Sequence, residues 1–294
     1  MPLATTGELV TRAAAARSAV AAFNIITLEH VEAVVAGAES TGTPVVLQVS
    51  ENAVVFRQGR LLPLARAAAA AAERAAVPVA LHLDHVRSES LLRQAADAGF
   101  SSVMYDASRL AYADNLAATR AAVDRAHAEG LWIEAELGKV GGKHGEPALD
   151  AHAAGARTDP TEARAFVADS GVDALAVAIG SAHAMTTRTA ALDHALLARL
   201  TAALDVPLVL HGSSGVPDGE LAAAVANGIT KVNVGTALNL AMTGAIRDFL
   251  TAHPEAVDSR AYLGAGREAM VRAVAGIIRV VHRPDVRRGA PATP

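Results

Sequence analysis

Eight aliphatic runs, each followed by a helix-like stretch, constrain this chain more than any single motif does. The runs are Val20–Ile26, Pro44–Ser50, Pro78–Asp84, Ser101–Asp106, Leu131–Leu137, Asp173–Gly180, Pro207–Gly212 and Ile229–Gly235. Aliphatic side chains fill them, they have the length of strands, and Pro, Gly, Asp or Ser bounds them. Helical patterns separate them, for example Leu28–Ser40, Leu61–Ala76, Ser88–Ala98, Ala111–Glu129, Thr161–Ser170 and Asp218–Ala226. Ser88, Asp159-Pro160 and Asp218 suit helix starts, and Gly99, Gly130, Gly171 and Gly228 stand where helices should stop. Strict βα alternation demands parallel strands, and eight such units predict an α/β fold that closes as a single (β/α)8 TIM barrel. A doubly wound open sheet is the alternative, but no G-x-G-x-x-G follows the first run to favour its dinucleotide-binding form. No linker or repeat divides the chain, so one barrel domain is expected over 1–286, with a disordered tail at 287–294.

Composition narrows the chemistry. At 294 residues, 52% hydrophobic and 19% charged, the chain can bury a large globular core. A net charge of −4 argues against nucleic acid as a partner. With no cysteine there is no thiolate nucleophile, so any metal must sit on His, Asp or Glu. Met1–Ala16 lacks the basic start and apolar core of a secretory signal. The alanine-rich stretch Ala65–Ala76 is broken by Arg66, Glu73 and Arg74, so it does not read as a membrane span. A cytoplasmic protein without membrane contact is the expectation.

In a TIM barrel the chemistry gathers where the strands end. Three of the runs end in histidine: His82-Leu83-Asp84-His85, His183 a few residues past the sixth run, and His211. Neutral imidazoles from His85, His183 and His211 could supply three ligands to a divalent ion and leave a position open for substrate. Asp84 would stand beside them as a proton carrier, and His82 lies a layer lower as support. His30, His127, His152, His194 and His253 fall on helices or connections and read as surface residues. Asp106, Glu134 and Glu136 form a carboxylate cluster that needs either a second cation or a partner such as Lys231. Gly212-Ser213-Ser214 and Asn233-Val234-Gly235-Thr236 both open helices after the last two strands, the usual phosphate cradle of this fold. Gly138–Gly145 reads as a mobile glycine-rich loop that could close over substrate.

Several segments together resemble the class II, metal-dependent fructose-bisphosphate and tagatose-bisphosphate aldolases. They are Ala80–His85, Glu134–Gly138, Val177–Gly180 followed by His183, Leu210–Ser214 and Thr230–Val234, in the family's order, and the similarity runs from Phe23-Asn24 to Arg267. The resemblance implies that His85, His183 and His211 hold a catalytic Zn²⁺, with Asp84 as acid/base. It implies that Asp106 and Glu136 hold a second divalent or monovalent cation. Gly212, Ser213, Ser214, Asn233, Val234, Gly235 and Thr236 would bind the phosphate and oxygens of dihydroxyacetone phosphate. Asn24 and Ser50 match substrate-contacting positions, and Arg260 resembles an arginine that reaches the distal phosphate of its own or a neighbouring subunit. A phosphorylated sugar substrate and a homodimer or homotetramer are implied as well.

The residues depart from the family pattern at two places. Ala184 stands where many relatives have a triose-contacting glycine. In the loop, Lys143, His144, Gly145 and Glu146 replace the acidic residue that exchanges the triose proton, so His144 or Glu146 would take that role. A lysine Schiff base is disfavoured, because Lys231 is the lysine within a strand-like run and lies below the strand end. Two other readings remain: a TIM-barrel metal hydrolase, without the early His-x-His many of those carry, and a non-catalytic phosphosugar-binding homologue.

Overall fold

The computed structural model describes residues 3–138, 140–141 and 156–282. His144, Glu146, His152 and the expected 287–294 tail lie outside the described residues. Eight parallel strands close into one barrel in sequence order, with β1 pairing both β2 and β8. They are β1 (Val20–Asn24), β2 (Val45–Ser50), β3 (Val79–Val86), β4 (Ser102–Tyr105), β5 (Trp132–Leu137), β6 (Ala174–Val177), β7 (Leu208–Leu210) and β8 (Ile229–Val234). The expected (β/α)8 barrel is the fold.

Strand parity sorts the core. Phe23, Leu47, Leu81, Leu83, Val103, Ile133, Leu175, Leu210 and Val232 pack outward into the main apolar cluster beneath the helices. The alternate positions face the barrel axis. At the lower end these are Val20, Ala22, Val46 and Ala80, covered by Leu9 and Val10 of a helix that precedes the barrel, α1 (Thr6–Ala15). Toward the strands' C-terminal ends the same parity brings in Gln48, His82, Asp84, Ser102, Glu134, Glu136, Lys231 and Asn233, all buried. An apolar floor therefore carries a charged upper interior.

The helices that follow the strands are α2 (Leu28–Thr41), α3 (Glu51–Phe56), α4 (Leu62–Arg74), α5 (Glu89–Leu92), α6 (Tyr112–Ala128), α7 (Pro160–Ser170), α8 (His194–Ala203), α9 (Asp218–Ala226), α10 (Thr236–Ala252) and α11 (Ser259–Val281). Gly99, Gly130, Gly171 and Gly228 all take positive φ at the expected stops. The helix expected over Ser88–Ala98 is shorter. Past Leu92 the N–H groups of Gln94 and Ala95 donate three residues back, to the carbonyls of Leu91 and Leu92, so the chain tightens into turns. The β5–β6 ladder stops at Leu137 and Val177 because the Thr158 hydroxyl intervenes. It donates to the Leu137 carbonyl at 2.6 Å and accepts from the Ala178 N–H at 2.8 Å.

The sequence reading left 6–15 and 236–281 unassigned, and both regions close the barrel. Thr6 bonds Ser101 and Ser102 beneath β4, and the Ala19 N–H reaches the Val281 carbonyl at the end of α11. Helix α11 lies against α2 through Gly37, where a Cβ would stand 2.5 Å from Val274 Cγ1. Among the described residues no helix is long and apolar enough to cross a membrane. Gly37→Ala should lower the unfolding free energy by about 1–3 kcal/mol, the range for overpacking a filled contact. The check is a lower urea midpoint with unchanged denaturant slope; an unchanged midpoint would mean that the α2–α11 seam yields freely.

Candidate active site

Alternation along β3 should send Asp84 into the barrel and His85 out of it. The β3–β4 register slips between Leu83 and Val86, and His85 takes the left-handed region at φ 50°. That one distorted residue, at a cost of order 1–3 kcal/mol, turns both side chains into the site. His211, just past β7, and His183, past β6, complete the group. The three rings stand edge to face, with centroids 4.8 Å (His85–His211), 5.0 Å (His85–His183) and 5.7 Å (His183–His211) apart. Gly212 must follow His211: its φ is 65°, and a Cβ there would lie 2.5 Å from the Ala182 backbone.

Carboxylates fix the proton on two of these rings. Asp106 Oδ2 accepts from His85 Nδ1 at 2.8 Å, and Glu134 Oε1 accepts from His211 Nε2 at 2.8 Å. An ionised carboxylate only accepts, so both protons lie on the outer nitrogens and the inner ones carry lone pairs. Those inner atoms, His85 Nε2 and His211 Nδ1, face each other across 3.1 Å. Two opposed lone pairs repel unless a cation lies between them, and their spacing is close to the ~3.3 Å between two nitrogens on one tetrahedral ion. One atom from each of His85, Glu136, His183 and His211 lies within 4.8 Å of the others. Glu136 Oε2 is 3.7 Å from His211 Nδ1. This donor set suits a divalent metal such as Zn²⁺.

The carboxylate cluster thus divides three ways. Asp106 stands behind His85, its other oxygen accepting from the Ser108 N–H at 3.2 Å and hydroxyl at 2.7 Å. Glu134 is paired with Lys231 Nζ at 2.8 Å, both fully buried, the partner that the sequence left as one of two options. Glu136 joins the histidines. Lys231 also donates to Asn233 Oδ1 at 2.9 Å. His82 is the expected support: its Nδ1 meets Ser102 Oγ at 2.8 Å, and that hydroxyl reaches Thr6 of α1. Burial, aided by the Lys231 charge, drives its pKa well below the usual histidine value, so it is neutral.

Asp84 is held from three sides. Asn24 Nδ2 donates to Oδ2 at 2.8 Å, Gln48 Nε2 approaches the same oxygen at 3.5 Å, and Asn233 Nδ2 faces Oδ1 at 3.5 Å. Gln48 Nε2 also donates to Asn24 Oδ1 at 2.8 Å, which fixes that amide's orientation. Burial pushes the Asp84 pKa up, but positive charge at the His85–His211 site and on Lys231, with the Asn24 hydrogen bond, outweighs it, and the net shift is downward. The buried carboxylate is ionised at neutral pH, able to accept a proton.

A cavity of about 340 Å³ opens over these groups. Of the residues singled out from sequence, Asn24, Ser50, Asp84, His85, Asp106, His183, Ala184, Gly212, Ser214, Asn233, Gly235 and Thr236 line it. Ala184 takes φ 56°, in the left-handed region. Ser213 is buried and donates to the Asn233 carbonyl at 2.5 Å, tying the two loops together, and Val234 faces the outer core. Arg260 lies on the exposed first turn of α11, bound to Asp258, outside the lining. Sequence reasoning missed Asn52, Arg87, Arg109 and Asn239 in the wall. It also placed His30 on the surface, and the structure corrects this. His30 is buried between Thr27 Oγ1 at 3.0 Å and Asn239 Oδ1 at 3.3 Å, and burial lowers its pKa. The signal was present, since His30 shares the helical phase of Val31, Val34 and Ala38.

The chain matches the family model described as fructose-bisphosphate aldolase class-II over residues 4–285. Solved structures similar to it include the YdjI aldolase from Escherichia coli K12, at 30% identity, 95% of this chain, 97% of that chain and TM-score 0.82. A candidate fructose-1,6-bisphosphate aldolase from Coccidioides immitis is similar at 30% identity, 94% and 95% coverage and TM-score 0.81. The Fba fructose-bisphosphate aldolase from Campylobacter jejuni, at 22% identity, 95% coverage of both chains and TM-score 0.79, shares the fold.

Because Asp106 orients His85 from behind, Asp106→Ala should weaken divalent-metal binding about 10–100-fold while leaving the ion count per chain unchanged. Competition against a chelator of known affinity measures this; loss of a whole ion per chain would make Asp106 a ligand in its own right.

Proposed function

This chain belongs to the class-II fructose-bisphosphate aldolase family, and on that footing we propose that it is a Zn²⁺-dependent lyase that reversibly cleaves a ketose bisphosphate. The substrate is fructose-1,6- or tagatose-1,6-bisphosphate, and the products are dihydroxyacetone phosphate and glyceraldehyde 3-phosphate. The observation that carries the reading is one cavity lined by an ionised buried aspartate, two of the clustered histidines and two helix-opening loops.

The phosphate of the triose half binds at Gly212, Ser214, Gly235 and Thr236. Backbone N–H groups there meet the positive end of α10. Asp84 accepts the C4 hydroxyl proton, and the C3–C4 bond breaks as the C4 oxygen becomes a carbonyl. The electron pair passes to C3 and spreads onto the C2 oxygen as an enediolate. A divalent ion held by His85, His183 and His211, with Glu136 beside them, supplies Lewis-acid stabilisation of that charge. Asn233, held by Lys231, lies with its Nδ2 between His211 and Asp84 and faces the developing charge. Asn24 and Gln48 keep Asp84 in one rotamer. Protonation at C3 falls to His144 or Glu146.

Chelation should abolish triose phosphate release and Zn²⁺ should restore it; full activity after exhaustive chelation would defeat the reading. Asp84→Ala should retain the metal while kcat drops by about 10²–10⁴-fold, the usual weight of general acid–base catalysis. Normal turnover in that variant would remove Asp84 from the proton's path.

A further inference from the structure

Asn239 lines the cavity from the start of α10, together with Asn24, Ile26, Gly235 and Thr236. It comes three residues after Thr236 and four after Gly235, so the three positions share one helix face. Side chains on a helix tilt toward its N-terminus. The Asn239 amide therefore leans over the turn that holds the triose phosphate in the aldolase reading.

What the amide presents there depends on which of its ends is bound from behind. His30, buried on α2, places Nε2 3.3 Å from Asn239 Oδ1 and Nδ1 3.0 Å from Thr27 Oγ1. Burial lowers the pKa of this ring, so at neutral pH it carries a single hydrogen. An amide oxygen has no proton to give, so that hydrogen lies on Nε2, and Nδ1 accepts from the Thr27 hydroxyl. The segment bearing Thr27 is itself tied down, because Arg57 Nη2 donates to the Ile26 carbonyl at 2.6 Å. With Oδ1 occupied, the Asn239 NH2 group is the end left over, and among the described residues Nδ2 has no hydrogen-bond partner. The opposite tautomer would turn the amide end for end. Its oxygen would then face the phosphate, and two acceptors repel.

We propose that Asn239 donates an N–H to the phosphate of the triose half, and that His30, which touches no substrate, is the positioning residue that keeps this N–H outward. The pair rests on the aldolase reading above. It adds a neutral donor whose direction is set from a second helix, in a cradle otherwise made of loop backbone and hydroxyls.

The experiment measures the dissociation constants of dihydroxyacetone phosphate and inorganic phosphate for the full-length, Zn²⁺-loaded protein by calorimetry. N239A should weaken both about 10-fold, the low end for a hydrogen bond to a charged group, and N239D should weaken them further. H30A should weaken both as well, and the H30A/N239A double variant should bind no worse than N239A alone, because the two residues act as one unit. H30Q, which keeps an N–H donor, should recover most of the loss. Imidazole nitrogen NMR should find the His30 hydrogen on Nε2, a readout that needs no variant to fold. Wild-type affinities in N239A, loss confined to dihydroxyacetone phosphate, additive losses in the double variant, H30Q no better than H30A, or a hydrogen on Nδ1 would each overturn the proposal. Wild type that binds dihydroxyacetone phosphate, yet neither cleaves a ketose phosphate nor exchanges the C3 proton, would lose the aldolase reading and keep the contact. Wild type that binds neither phosphate compound would lose both.

Discussion

The buried pair of Lys231 and Glu134 is the interaction on which the rest of the site depends. Neither partner has any solvent contact, and each bare ion would cost several kcal/mol to bury. Their value lies in what the remaining atoms do. Glu134 uses its second oxygen to hold the proton on His211 Nε2, and Lys231 uses a second hydrogen to fix the Asn233 amide. One ion pair at the barrel axis thus sets the lone pair of His211 Nδ1 on one side and, on the other, an Asn233 amide whose Nδ2 lies 3.0 Å from His211 Nε2 and 3.5 Å from Asp84 Oδ1. An apolar pair of equal volume would fill the space, but it would leave the His211 tautomer and the Asn233 rotamer undetermined.

A barrel interior tolerates such charge because its floor is dry and its polar groups are matched in series. Leu9 and Val10 of α1 seal the lower layer against Val20, Ala22, Val46 and Ala80. Above it, Thr6, Ser102 and His82 hand hydrogen bonds upward, and Gln48 and Asn24 do the same toward Asp84. Rigidity follows from closure, because neighbouring strands fix the inward positions on both sides.

The eight strands and the ring of polar ends were legible because period-two alternation and Pro/Gly boundaries are local signals. Asp84 was legible for the same reason, and His85, His183 and His211 stood out by their place at or just past the ends of the runs. What the pattern could not carry is anything that breaks its own rule. Parity alone turns His85 away from the axis, and only the bulge and the left-handed backbone at that residue bring it back. The division of Asp106, Glu134 and Glu136 depends on which neighbour each meets across the barrel, a matter of three-dimensional register. Helix α1 looked like an unremarkable N-terminal segment because its value is as a floor. Arg87 and Arg109 sit in loops where an arginine carries no periodic signature, and strand order around the mouth is what gives them a shared address.

A second left-handed residue of the site lies after β6. Ala184 stands in the left-handed region where a glycine would be unstrained, and it stays there because His183 beside it is fixed by its backbone bond to the Gly141 carbonyl at 2.6 Å. A methyl group now lines the cavity where the triose half should lie. Arg87 and Arg109, after β3 and β4, line the same cavity three and two strands around the barrel from the Ala184 loop.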